Sequence, residues 1–139
     1  MDIKDLMNTD FQSCLSTTTL NEVRRMLKRS AHNAVVVLDQ NKLPLGVITE
    51  RDIDEVYSYS DTRDADFLAS DVVKNKEIYN CWDGDNIQIA ASMINDRGLS
   101  FLPVVNSDFC FVGVMTASNS LASLDNIMPY HSRSVANKY

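Results

Sequence analysis

Gly46-Val47-Ile48-Thr49-Glu50-Arg51-Asp52 and Gly113-Val114-Met115-Thr116-Ala117-Ser118-Asn119 are one phrase written twice, 67 residues apart. The period extends outward from it: Val37 recurs as Val104, Met26 as Met93 and Cys14 as Cys81, each at an offset of 67. Further upstream, Ile3-Lys4-Asp5-Leu6-Met7 is matched by Ala69-Ser70-Asp71-Val72-Val73 at an offset of 66, so one residue is gained between Val73 and Cys81. Such self-similarity marks a repeat architecture, in which a unit too small to bury its own apolar face is completed by its copy. The seam between copies is then the natural place for a ligand. The implied division is a first repeat over 1–60, a polar linker over 61–68, a second repeat over 69–124 and a tail over 125–139.

Within each copy the hydrophobic period switches in the same order. Phe11 to Leu15 reads as a short strand, and Thr19-Leu20-Asn21-Glu22 has the form of a capping box. The helix that follows carries Leu20, Val23, Met26 and Leu27 on one stripe, with Arg24, Arg25, Lys28 and Arg29 on the other side. Ala34 to Leu38 and Leu43 to Ile48 predict a hairpin about Asp39-Gln40-Asn41-Lys42. The unbroken β-branched run Val35-Val36-Val37 is expected to be covered on both faces. A second helix is predicted from near Thr49 to Tyr57. The second copy repeats this with a strand at Tyr79 to Trp82, a helix capped by Asp85 and Gln88 with Ile87, Ala90, Ala91 and Ile94 on its stripe, and Gly98 at its end. Strands at Phe101 to Val105 and Phe109 to Met115 follow, and a last helix from near Thr116.

Bulk properties exclude more than they assign. A chain of 139 residues buries enough surface for a core without disulfides or metals. A net charge of −6 argues against nucleic acid or an anionic membrane as the main partner. The opening Met1-Asp2-Ile3-Lys4-Asp5 is no secretory leader, and no apolar run is of spanning length, so a cytoplasmic location is expected. The three cysteines, Cys14, Cys81 and Cys110, lack ligand spacing and read as reduced thiols.

The strand-helix-strand-strand-helix order, the run Phe101-Leu102-Pro103-Val104-Val105, and the twice-written Gly-apolar-x-Thr-x-x-Asp/Asn phrase together resemble a tandem pair of cystathionine-β-synthase (CBS) domains, the Bateman module. The resemblance covers about residues 3 to 124. The first copy matches the closing pattern fully; the second departs at its last position, Asn119, and Val36 stands where the second copy has Pro103. The resemblance implies an α+β fold of two βαββα repeats packed sheet against sheet about a pseudo-twofold axis, leaving two clefts. It also implies a homodimer and a regulatory rather than catalytic role, with no required cofactor. The ligand would be AMP, ADP, ATP or S-adenosylmethionine, and the regulated protein another chain.

The residues of the phrase suit such a ligand on physical grounds. Gly46 permits close backbone approach, and Thr49 stands at a helix N-terminus, where free amides and the helix dipole attract phosphate. Asp52 offers acceptors to both hydroxyls of a ribose, and Arg51 a charge-assisted contact to phosphate. Thr116 and Asn119 are the equivalents in the second copy. The resemblance places the adenine slot near Ala34 and Phe101. The same spacing also serves plain helix capping, with Asp52 or Asn119 reaching back, and the residue types alone leave both readings open. One occupied cleft is expected rather than two. An interaction module with empty clefts, dimerising to present a protein-binding surface, is the competing reading.

Other groups offer less. His32 and His131 have no metal-ligand companions, and His32 reads as a surface residue in a turn. Asp61, Asp64, Asp66 and Asp71 lack calcium-loop spacing and read as solvated. Trp82 and Tyr79 are expected to pack the core. No glycine-rich phosphate loop and no Ser-His-Asp order is present, so an enzyme is not expected.

Overall fold

The runs Val35-Val36-Val37 and Leu102-Pro103-Val104 lie in the middle strands of two separate three-stranded sheets in the computed structural model, which describes residues 1–58 and 67–118. A 3-10 turn, Ile3–Asp5, precedes β1 (Gln12–Leu15), α1 (Leu20–Arg29), β2 (Ala34–Leu38), β3 (Pro44–Thr49) and α2 (Glu50–Ser58). The second half comprises α3 (Ala69–Val73), β4 (Cys81–Trp82), α4 (Ile87–Arg97), β5 (Phe101–Val105) and β6 (Phe111–Thr116). The fold is α+β. The closing helix expected beyond Thr116, the linker's Asp61, Asp64 and Asp66, the tail and Asn119 lie outside the described residues.

The repeat is reproduced pair by pair. β1 runs parallel to β2 with Cys14 opposite Val37, and β4 parallel to β5 with Cys81 opposite Val104. β2 and β3 are antiparallel with Ala34 opposite Thr49, and β5 and β6 with Phe101 opposite Thr116; both ladders shift register at the same point, after Val37 and after Val104. The hairpin turns are alike too. Asp39 Oδ1 accepts from the amides of Asn41 and Leu43, and Asn106 Oδ1 from those of Asp108 and Cys110. These side-chain bonds hold Lys42 and Phe109 at positive φ, 69° and 63°, without a glycine. Phe109 is therefore turn, and the strand expected from Phe109 begins at Phe111.

Alternation of side chains splits β2 between two cores. Val35 and Val37 face Leu20, Val23, Leu27 and Ile53 of α1 and α2, whereas Ala34, Val36 and Leu38 join Phe11 and Val114 in a cluster that also gathers Val47, Phe101 and Phe111. That cluster takes side chains from both sheets, which is how the repeats pack sheet against sheet. All five residues of β2 are buried, as the β-branched run demanded.

Local details move. The expected strand from Tyr79 shortens to Cys81–Trp82, opposite a β5 whose Pro103 has no N–H to give the ladder. The cap of α4 is Asn86, whose Oδ1 accepts from the Gln88 amide, while Asp85 accepts from Trp82 N instead. Thr19 Oγ1 caps α1 through the Glu22 amide, but the Glu22 carboxylate turns outward to Arg25 and Arg29, so the box is half made. Gly98 ends α4 in the left-handed region at φ 64°, as placed from sequence.

The lead segments are exchanged. Ile3 is buried among Ile87, Ala90, Leu102 and Met115 of the second half, and Ala69, Val72 and Val73 among Val23, Val37 and Ile48 of the first. The bonds that fix them are equivalent: Ile3 N to Asp85 O and Lys4 N to Asp83 O on one side, Ala69 N to Thr18 O and Ser70 N to Ser16 O on the other. Sequence repeats and packed cores are therefore offset by one segment.

Candidate functional site

A cleft of about 290 Å³ opens where the first repeat's β3–α2 junction faces the start of β5. Its volume sits at the lower end of the roughly 300–1,000 Å³ common for small-molecule sites. Val47, Leu99, Phe101 and Pro103 supply an apolar wall; Thr49, Asp52, Lys76, Glu77 and Ser100 form a polar end, with Tyr79 also on the lining. Gly46 and Gly98 complete the rim.

Of the residues expected from sequence, Gly46, Thr49, Asp52 and Phe101 line this cleft together. Ala34 is fully buried in the intersheet cluster, opposite Thr49. Thr116 lies at the pseudo-symmetric position opposite Phe101, its hydroxyl 3.3 Å from that of Ser118. Arg51, expected at the phosphate, is not on the lining: its side chain is 89% exposed and pairs with Glu55 across one turn of α2 at 3.7 Å. Sequence reasoning missed Lys76, Glu77, Leu99 and Ser100. They lie in loops without hydrophobic period, and nothing local signals that the chain carries them to the start of α2.

Thr49 and Asp52 do form the helix cap. Asp52 Oδ2 accepts from the Thr49 amide at 2.8 Å and hydroxyl at 2.9 Å, and the Asp52 amide donates to Thr49 Oγ1 at 3.4 Å. This leaves Oδ1, which lies 2.7 Å from Lys76 Nζ. Burial alone pushes the Asp52 carboxyl up, but the Lys76 ammonium and the Thr49 donors outweigh it and hold the group below the usual carboxylate range. The capping reading is thus satisfied in full by one oxygen of Asp52, and the second is paired with Lys76, which also lines the cleft. Beside it, the Tyr79 hydroxyl donates to the Glu77 carboxylate, and Arg97 lies over the Tyr79 ring at 5.3 Å.

Gly46 and Gly113 have a different neighbour from the one expected. A Cβ on Gly46 would stand 2.8 Å from Val73 Cγ1, and one on Gly113 would stand 2.7 Å from Met7 Sδ and 2.9 Å from Asn8 O. The close backbone approach at each glycine is made by the exchanged lead segment. On the other side of the pseudo-axis, Asp10 and His32 occupy the positions 67 residues before Glu77 and Leu99. There the His32 ring lies flat on Phe11 at 4.0 Å, with Nε2 2.8 Å from Asp10 Oδ1. The hydrogen bond from His32 holds the exposed Asp10 carboxyl below its ordinary range. His32 is therefore a packed, paired residue rather than a free surface one.

Cys14 and Cys81 are buried, and burial pushes their thiols up to about 11 and about 12. They are protonated and unreactive at neutral pH. Trp82 leaves the core it was expected to pack: it is 46% exposed and meets Phe109, 54% exposed, edge to face at 5.3 Å. Among the described residues no cluster of three or more His, Cys, Asp or Glu is set to hold a metal, and no helix is long and apolar enough to cross a membrane.

Two exchanged strand-helix-strand-strand repeats with a cleft at their seam define a class of paired modules. Residues 3–59 match the family model of the CBS domain, and the fold of the described residues is that of CBS-domain-pair structures. The structure superimposes on a CBS domain protein from Pyrobaculum aerophilum, solved with AMP, with a TM-score of 0.73 at 23% identity, covering 86% of this chain and 89% of that one. The soluble part of a magnesium transporter gives a TM-score of 0.75 at 25% identity, over 91% of this chain and 48% of that one. Among sequence relatives, a homoserine O-acetyltransferase from Methanobrevibacter ruminantium is 28% identical over 114 residues, 82% of this chain. A magnesium transporter from Enterococcus faecalis is 28% identical over 126 residues, 87% of this chain. The chain spans only 22% and 26% of the length of these two relatives.

Proposed function

We infer that the cleft binds an adenosine nucleotide and that its occupancy is passed to another protein, so that the chain works as a regulatory sensor. The observation that carries this is the division of labour at Asp52: one carboxylate oxygen closes the α2 cap and the other is free of it, paired with Lys76 on the cleft lining beside an apolar wall that suits a base. The ribose would sit on Asp52 and the base against Val47, Leu99, Phe101 and Pro103, with phosphate towards Thr49 and Lys76. AMP in the P. aerophilum protein, and ATP in the cytosolic domain of a magnesium channel of similar fold, support the ligand class. The His32–Phe11 stack favours use of this cleft over its pseudo-symmetric counterpart. Occupancy shifts the packing of the two repeats, or of a dimer, by no more than the ligand's difference in affinity between the two states.

A thermal-shift series with AMP, ADP, ATP and S-adenosylmethionine tests this, with Asp52→Asn alongside because asparagine keeps an acceptor for the cap. Ligand at about 100 times its dissociation constant stabilises the fold by about 2.7 kcal/mol, a rise of several degrees that the variant loses. The second reading, an interaction module with empty clefts, is favoured by the exposed Trp82–Phe109 pair. It expects no shift with any compound, and association with itself or another protein that Trp82→Ala weakens.

A further inference from the structure

Both carboxylate oxygens of Asp52 are engaged, and by groups of different standing. Oδ2 takes the amide and hydroxyl of Thr49, bonds that hold the first turn of α2. Oδ1 is the oxygen a ribose hydroxyl can reach without undoing that cap, and the Lys76 ammonium already lies on it at 2.7 Å. The carboxylate is shielded, with Asp52 17% exposed at the side chain, and the ammonium of Lys76, 39% exposed, reaches it from the cleft rim. Lys76 hangs from the turn that follows α3, its amide tied to Val73 O at 3.0 Å, and its flexible stem carries the charge across to α2. The ammonium can therefore leave Asp52 without any movement of the backbone.

We propose that Lys76 sets the selectivity of the cleft, holding Asp52 closed to uncharged ribosides and admitting those that carry phosphate. The proposal rests on the adenosine reading above. A ribose hydroxyl competes with the ammonium for Oδ1, and an ammonium that yields loses its ion pair at the cleft rim. Glu77 is the other carboxylate on the lining, and it already receives the Tyr79 hydroxyl. An uncharged nucleoside weakens that ion pair and returns nothing for it, whereas a nucleotide supplies an anion on the same molecule, and the lysine exchanges carboxylate for phosphate. Arg51 does not compete for that phosphate, because it lies on the exposed face of α2 with Glu55. Lys76 thus acts against adenosine and in favour of its phosphates.

Calorimetric titration of the full chain with adenosine, AMP and ADP tests this in wild type and in Lys76→Met, which keeps the length of the stem and drops the charge; Lys76→Gln is a second variant should the first melt early. Wild type is expected to bind AMP at least about tenfold tighter than adenosine, about 1.4 kcal/mol. In Lys76→Met adenosine binding strengthens, AMP binding weakens, and the ratio falls towards one. In the ligand-free protein, the Asp52 carboxyl followed by carbon NMR should titrate at higher pH in Lys76→Met. An unchanged ratio of affinities, or an Asp52 titration that does not move, would overturn the role of Lys76 while leaving the adenosine reading intact. Failure of wild type to bind any of the three, or ATP or S-adenosylmethionine, would overturn both.

Discussion

At the scale of single residues, Asp52 does two jobs with two oxygens, and its protonation undoes both. Its folded-state pKa is depressed, so the stability it contributes is full above the ordinary carboxylate range and is lost as pH falls through the lower folded value. Urea melts from pH 7 down to pH 2 should therefore show wild type losing its advantage over Asp52→Asn at the acid end. An advantage that grows with acid would contradict the ion pair with Lys76. Gly113 is the other residue on which much hangs. With a Cβ set to meet Met7 Sδ and the Asn8 carbonyl, Gly113→Ala should cost about 1–3 kcal/mol, read as a lower denaturant midpoint at unchanged slope. Gly46→Ala meets the Val73 side chain and also strains a backbone at φ 159°, so it should destabilise as well.

At the scale of elements, the helices are set by their first turns more than by their stripes. Thr19 supplies a side-chain acceptor to α1 and Asn86 to α4, and in each copy the lead segment bridges to that same capping residue, Leu68 to Thr19 and Asp2 to Asn86. Replacing either cap by alanine should cost about 1 kcal/mol. Hydrogen exchange would locate the loss: the first turn of α1 in Thr19→Ala, that of α4 in Asn86→Ala. The misplaced cap at Asp85 has a physical lesson. Asp85 and Asn86 both have the residue type of a cap, and the choice between them follows from the turn after β4, where Asp85 is already bound to the Trp82 amide. The shortened β4 likewise follows from Pro103 in the neighbouring strand, a nonlocal cause that the residues from Tyr79 to Trp82 do not carry themselves.

At the scale of the whole molecule, the exchange of lead segments couples the two halves. Ile3 is more than eighty residues in sequence from Ile87, Ala90, Leu102 and Met115, with which it packs. Ile3→Ala should destabilise by about 2–5 kcal/mol, and the loss of exchange protection should fall first on α4 and β5 rather than on the neighbouring β1 and α1. Protection lost first at β1 would mean that each repeat folds on its own lead segment. The same exchange places Val73 behind Gly46 and, one turn further on, Lys76 against Asp52. The cleft therefore borrows part of its polar end from the segment that completes the first core.

The sequence by itself determined the repeat, the strand-helix-strand-strand order within each copy, the two hairpins, and the β3–α2 junction with Thr49 and Asp52. These are local patterns of side-chain period, turn chemistry and capping, and they are written in neighbouring residues. Which copy each lead segment completes, that Lys76 rather than Arg51 meets Asp52, and that Trp82 faces outwards were decided only by the tertiary structure. Such pairings depend on which of two nearly equivalent apolar faces is covered and on the direction in which a loop leaves a helix. Two copies of one pattern carry the same local signal, so only the packing of the whole chain distinguishes them.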